Sequence, residues 1–421
     1  MLTARKPRKT PCAAGRRSRT TRLDIGPPAG SRIATGAFGA RRRPLSSRPC
    51  TVTPLAWTDQ PLGEVALPGG TLRASIGLGS GLARRAGDPP GRVWALCDRG
   101  PNLKPPLALE RYGVEAARAL VGVDGAKILP FPAFAPAIHE LQVDGDSVRL
   151  LKVLPLHGGD GAPLNGLPLP GGPEAAMEPA FDLAGRPLGA SPLGVDTEAL
   201  VALADGGFWV AEEYGPSLLR VAPDGRVLSR WFPAGTGERW AAPGYAVADR
   251  LPADAARRRL NRGFEALALS GDESRLFVLL QSPIRGETGA RLWTLDARTG
   301  ATMAEHRYPF DPPASFRRDA ALGPVDEGDL KIGEVLWLGE DRLLVLERIS
   351  HSSKLYEARL GTGGAVTKRL VLSTDDHPQV CADLEGMALL SDRDLLLVND
   401  NDFGIDGAVT RFCRLTFDAP I

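Results

Sequence analysis

Four segments of this chain repeat one pattern, and that repeat limits the fold more than any other feature. Each opens with an acid and a small residue (valine once), followed by an apolar strand, a Gly- or Asp-containing turn, a second apolar strand and a polar cluster. The first runs over Glu198–Leu203, turns at Asp205-Gly206-Gly207 and returns over Phe208–Glu213. The second is Glu265–Ser270 with Leu276–Leu280 and Gln281; the third is Glu334–Leu338 with Leu343–Leu346, Glu347 and Arg348. The fourth is Glu385–Leu390 with Leu395–Val398 and Asn399–Asp402. Each reads as a β-hairpin. Further strands follow each hairpin, so that roughly four strands recur every 50–70 residues, the mark of a β-propeller blade. A weaker copy begins at Ser80-Gly81-Leu82 and ends at Val93–Gly100; Ala137–Val143 and Ser147–Pro155 either complete it or start another blade. The expected fold is all-β, a β-propeller of five to six four-stranded blades, with six favoured. Gly63–Ile76 is expected to supply a strand that closes the ring, and one helix is expected at about Ala253–Leu260.

Charge divides the chain. Residues 1–50 hold 13 Lys or Arg and one acid, Asp24, a local charge of +12; against a total of +1 the other 371 residues sum to −11. Residues 1–50 are therefore expected to be a disordered Arg-rich tail, or the product of a start assigned too far upstream, and 51–421 the propeller domain. No apolar stretch of signal-peptide length follows the basic residues. The longest apolar runs are six residues, Ala199–Ala204, and five, Leu276–Leu280, far below the roughly twenty that a spanning helix needs. An acidic body excludes nucleic acid as the expected partner and suits a metal cation or a polyol. The five cysteines have no metal-like spacing and read as core thiols.

A hairpin returns its second strand to the end where the first began. The opening acid and the closing polar cluster of each repeat thus share a rim. The separations are 14 (Glu198 to Glu212), 16 (Glu265 to Gln281), 13 (Glu334 to Glu347) and 14 (Glu385 to Asn399). If these are inner strands, Glu198, Glu265, Glu334 and Glu385 crowd one mouth of the central channel, joined by Asp98, Glu212, Glu213, Glu347, Asp400 and Asp402. Like charges so placed raise one another's pKa. Hard oxygen donors without His or Cys favour calcium as the compensating cation. Arg99, Arg262, Lys331 and Arg348 offer internal salt bridges or an anion site instead. A single acid at a strand end is ordinarily a cap or a solvated group; four at one register shift that balance. His351, beside the same rim, is a candidate general base.

Three stretches, GVDTEALVALADGGFWVAEEYGPSLLRVAPDGRVLSRWFP, NRGFEALALSGDESRLFVLLQSP and DLEGMALLSDRDLLLVNDNDFG, resemble the bacterial phytase-like domain family, labelled "esterase-like activity of phytase". CDRGPN, Phe131–Phe134 with Pro136-Ala137-Ile138, and Asn165–Pro168 extend the likeness over roughly residues 60–418. The resemblance implies a propeller, an exported or periplasmic protein, and hydrolysis of esters by analogy with calcium-dependent propeller phytases.

The leading expectation is a calcium-dependent hydrolase of an anionic small-molecule ester, a phosphate ester ahead of a carboxylic ester, working as a monomer. Glu198, Glu265, Glu334 and Glu385 are expected to hold calcium, with Asp98, Glu212, Glu347, Asp400 and Asp402 as further ligands. Arg99 and Arg348 would steady developing negative charge, and Glu213 or His351 would accept a proton. Two alternatives stay open: a non-catalytic propeller that binds a ligand or protein with structural calcium, and a metal-dependent sugar lactonase.

Overall fold

A computed structural model describes residues 47–171, 177–240 and 244–421. The expected tail therefore lies outside the described residues, apart from its last four residues, which belong to the propeller.

Five sheets form five blades, one fewer than the six favoured and the lower end of the expected range. Blade one comprises Gly81–Ala83, Arg92–Leu96, Ala137–Asp144 and Ser147–Pro155, so the weak copy is a complete blade. Blade two comprises Thr197–Ala202, Phe208–Glu212, Ser217–Val221 and Val227–Pro233, with Ala246–Leu251 added in parallel at its outer edge. Blade three is built from Phe264–Leu269, Arg275–Leu280, Ala290–Asp296 and Thr302–Tyr308, and blade four from Lys331–Gly339, Arg342–Arg348, Ser353–Leu360 and Val366–Ser373. In blade five, Leu384–Leu389, Asp394–Asn399 and Phe412–Phe417 are completed by Cys50–Leu55 from the start of the body.

Ring closure thus uses a different strand from the one expected. Cys50–Leu55 pairs with Phe412–Phe417 from Cys50↔Phe417 to Leu55↔Phe412. Gly63–Ile76 falls instead in a separate hairpin, Pro61–Leu67 with Gly70–Ser75. Its Leu72 and Ala74 pack on Ala108 and Ala117 of the short helical segments Pro105–Glu110 and Glu115–Leu120. The expected helix near Ala253 is one short 3-10 turn, Ala253–Arg257. Its three arginines at 257–259 leave too little apolar surface for a longer amphipathic helix.

The first strand of each blade lines the axis, and these strands are apolar on both faces because each is covered by a neighbouring blade on either side. A Cβ on Gly81 would stand 3.2 Å from the Ala199 Cα, which shows how closely adjacent inner strands approach. One apolar cluster fills each blade interface. Trp209, Trp231 and Trp293 anchor that between blades two and three, while Trp94 meets Phe208 edge-on at 5.0 Å between one and two. Leu55 and Phe412 belong to the cluster between blades five and one, which makes the closing strand part of a core. Among the described residues, no helix is long and apolar enough to cross a membrane.

Leu55→Ala removes a buried side chain from this closure and is expected to cost about 2–4 kcal/mol. The shift of the urea midpoint measures it; an unchanged midpoint would show that the strand does not hold the ring.

Candidate active site at the acidic mouth of the channel

The inner hairpins share a local irregularity that decides which side chains reach the axis. Thr197 pairs with Glu212 and Ala199 with Ala211, leaving Glu198 as an extra residue in a bulge. Glu265 is skipped in the same way between Phe264↔Leu280 and Ala266↔Leu279, and Glu385 between Leu384↔Asn399 and Gly386↔Val398. All three glutamates line a cavity of about 470 Å³ at this mouth.

Blade four departs from the expected register. Its extra residue is Gly333, between Ile332↔Glu347 and Glu334↔Leu346. Glu334 therefore occupies the place of Ala199, Ala266 and Gly386, one residue deeper, and is not part of the cavity wall. Its buried carboxylate accepts hydrogen bonds from the N–H of Val335 (3.0 Å) and, across the axis, of Leu82 (3.4 Å). Below it a second pocket is lined by Leu82, Leu200, Leu267 and Val335, with Arg84, Ser270 and Glu273 also in its wall. In blade one Gly81 pairs with Leu96 as Ala199 does with Ala211, which puts Ser80 at the position of the acid.

The second strands obey the two-residue period of a strand. Asp98, Glu213, Gln281, Arg348 and Asp400, two residues beyond the last common pair, all line the cavity. The residues just before them turn into the blades. Glu212 forms a fully buried ion pair with Arg230 at 3.0 Å and accepts from the Ser217 hydroxyl at 2.8 Å. Glu347 accepts from the Tyr308 hydroxyl at 2.7 Å and pairs with Lys368. Neither is placed to reach a ligand in the cavity. His351 is exposed and also outside the cavity wall; the Asp319 carboxylate gathers the N–H groups of Ser350, His351 and Ser352, turning the chain away from the mouth.

The expected ring of four glutamates is therefore split. Glu198 joins Asp98 and Asp196, each offering an oxygen within 4.8 Å of the others. Glu265 and Glu385 lie instead around Arg348, whose guanidinium bonds Glu385, meets Asp383 at 2.5 Å and stands 3.7 Å from Glu265. Arg99 is likewise committed. It pairs with Glu178, lies 3.2 Å from an Asp196 oxygen and donates to the Tyr214 hydroxyl at 3.0 Å. Asp402 lies on the cavity rim with Asp400. Asp196, Asp383 and Glu178 were not anticipated. The first two carry a signal, Asp196-Thr197-Glu198 and Asp383-Leu384-Glu385, where a spacing of two puts both acids on one strand face.

Burial, then the Asp196 charge, pushes the Asp98 carboxyl up to about 7, although Arg99 opposes the shift. Burial, with Glu265 and Asp196, raises Glu213 to about 8. Glu198 is raised well above the usual range by burial and by Asp196, Glu265 and Glu213. Burial also raises Glu178, but Arg99 and Lys127 outweigh it and hold that carboxyl low. Lys331 is lowered to about 8, first by the Arg348 charge and then by burial. Backbone strain gathers at the same place. Asn261, Asp383, Asp402 and Asp406 line the cavity with φ of 53°, 56°, 44° and 65°, a left-handed conformation that costs energy for residues other than glycine.

The trio of Asp98, Asp196 and Glu198 fits a hard divalent cation: its donors are all carboxylate oxygens that approach one another closely, and burial together with the Asp196 charge raises both Asp98 and Glu198.

An acid whose folded pKa exceeds its unfolded value binds more protons when folded, so stability falls as pH rises between the two. For Asp98 and Glu213 that window runs from about 4, the usual carboxylate value, to about 7 and about 8. The melting temperature of the cation-free protein is expected to fall from pH 5 to pH 8, and millimolar calcium to flatten that slope. Calorimetry in the two conditions checks both. Separately, Glu334→Ala leaves buried N–H groups unpaired and is expected to cost about 2–4 kcal/mol, read from urea unfolding.

A family model described as "Phytase-like: Esterase-like activity of phytase" matches residues 75–403. An "uncharacterized secreted protein" of Arthroderma benhamiae is 30% identical over 224 residues, covering 48% of this chain and 42% of that protein. The chain thus matches less than half the length of this relative. Among solved structures, the PQQ-bound aldose sugar dehydrogenase of Streptomyces coelicolor is 13% identical with a TM-score of 0.34, over 88% of this chain and 99% of that one. The gluconolactonase XC5397 of Xanthomonas campestris is 13% identical with a TM-score of 0.33, over the same shares.

Proposed function

The chain belongs to the phytase-like family described as esterase-like activity of phytase, and on that premise we propose that it hydrolyses ester bonds with the help of a divalent cation at the acidic channel mouth. Calcium is the cation of choice and a phosphate ester the favoured substrate, ahead of a carboxylic ester. The observation that carries this reading is the clustering of Asp98, Asp196 and Glu198 in a cavity that Lys331 and Arg262 also line.

Asp98, Asp196 and Glu198 would hold the cation, and Arg99 fixes Asp196 from behind. Bound there, calcium would neutralise the carboxylates and polarise the ester oxygen. The anionic end of the substrate needs a different partner, because Arg99 and Arg348 are occupied by carboxylates. Lys331 and Arg262, which line the same cavity without an ion-pair partner among the described residues, would supply it. Glu213, held by the Gly263 N–H at 3.3 Å, is the proton carrier. It donates to the leaving oxygen and recovers a proton from the attacking water, so one water is divided between the alcohol and the acid product. An exported setting fits, since the fungal relative is described as secreted and weak calcium sites work where the ion is abundant.

Chromogenic phosphate and acyl esters, assayed with calcium and then with chelator, test the proposal. Phosphate release is expected to require calcium, and Glu198→Gln and Asp196→Asn to lower kcat/KM by on the order of 10²-fold or more with folding intact. Calcium-dependent stabilisation without turnover of either ester would favour the non-catalytic binding propeller.

A further inference from the structure

The part of the cavity wall that blade three supplies, next to the carboxylate trio, holds two buried polar atoms without a hydrogen-bond partner. Glu265, 2% exposed, has one carboxylate oxygen, Oε2, without a hydrogen-bond partner. Gln281, 5% exposed, leaves its side-chain oxygen Oε1 unpartnered as well. Both side chains line the cavity. Leaving a buried acceptor unpaired costs about 1–3 kcal/mol, so two in one wall describe a place that a ligand completes. The backbone of both residues is held in place. Gln281 is fixed on both sides of its backbone, its N–H donating to the Gly263 carbonyl at 2.9 Å and its carbonyl accepting from the Ile332 N–H at 2.8 Å. Glu265 sits in the bulge of its inner strand.

The neighbours decide what kind of group fits. Arg348, Arg262 and Lys331 stand in the same wall, and the Arg348 guanidinium lies 3.7 Å from the other Glu265 oxygen. Three cations around one carboxylate make the locality unfavourable for a second metal ion. A neutral donor meets no such penalty, and a hydroxyl supplies it. The geometry points to Glu265 and Gln281 as a hydroxyl-binding subsite, which selects esters carrying free hydroxyl groups beside the scissile bond over esters of simple alcohols. This rests on the hydrolase reading for the orientation of the ligand: the ester at the trio, its anionic group at Lys331 and Arg262, its hydroxyls at Glu265 and Gln281. It makes both residues determinants of specificity.

Glycerol 2-phosphate and isopropyl phosphate share the branched ester and differ in two hydroxyls, so the ratio of their affinities reads the subsite alone. Titration calorimetry on the full chain with calcium is expected to give glycerol 2-phosphate an advantage of about tenfold or more, the worth of a hydrogen bond to a buried charged group. Gln281→Met, which keeps the length of the side chain and removes its acceptor, is expected to bring the ratio toward one. Should that variant fail to fold, Glu265→Gln reads the same ratio. Equal affinities in the unmodified protein, no binding of either ester, or a preference that survives both substitutions would overturn the subsite. Turnover separates it from the reading beneath it. Preferential binding without hydrolysis leaves the subsite standing and removes the hydrolase, whereas hydrolysis of both esters without preference does the reverse.

Discussion

One extra residue at the mouth of the inner hairpins of blades two to five is the constraint on which the site depends. Without it, the two-residue period of a strand would carry each opening acid into the packed interface between blades. With it, Glu198, Glu265 and Glu385 turn toward the axis, while the small residue that follows each of them meets the neighbouring inner strand. The bulge therefore serves two ends at once. It leaves a small residue on the inner strand after the acid, and it delivers charge to one end of the channel.

Collecting that charge has consequences for every other group nearby. The blade one and two side of the cavity keeps its carboxylates together. The blade four and five side neutralises its own through Arg348, which stands where the other blades place Asp98, Glu213, Gln281 or Asp400. Glu334, displaced inward by the glycine before it, caps the backbone donors of Val335 and, across the axis, of Leu82 instead of lining the acidic cavity. The asymmetry is chemical as well as geometric: on one side Asp98, Asp196 and Glu198 stay grouped, and on the other Glu265 and Glu385 lie around one guanidinium.

Much of this was legible in the sequence. The four hairpins, their common rim and the convergence of acids follow from alternation, turn residues and spacing, which are local properties. The displacement of Glu334 also left a trace, since its repeat has a separation of 13 and a valine where the others have a small residue; both mark a shift of one position. Ring closure by Cys50–Leu55 was not legible, because strand pairing between chain ends depends on long-range packing that composition does not encode. The fate of Arg99 and Arg348 was hidden for the same reason. A guanidinium beside an acidic cluster can bind a substrate or a carboxylate with equal chemical ease, and only the positions of Glu178 and Asp383 decide which. Glu212 and Glu347 show the limit of spacing arguments: one residue along a strand separates a cavity wall from a buried ion pair.

Anomalous diffraction from crystals grown with calcium addresses the central claim most directly. The account predicts a peak bounded by Asp98, Asp196 and Glu198, and none between Glu265 and Glu385, where Arg348 already supplies the positive charge. A calcium peak among Glu265, Glu385 and Asp383 with the trio empty would contradict it.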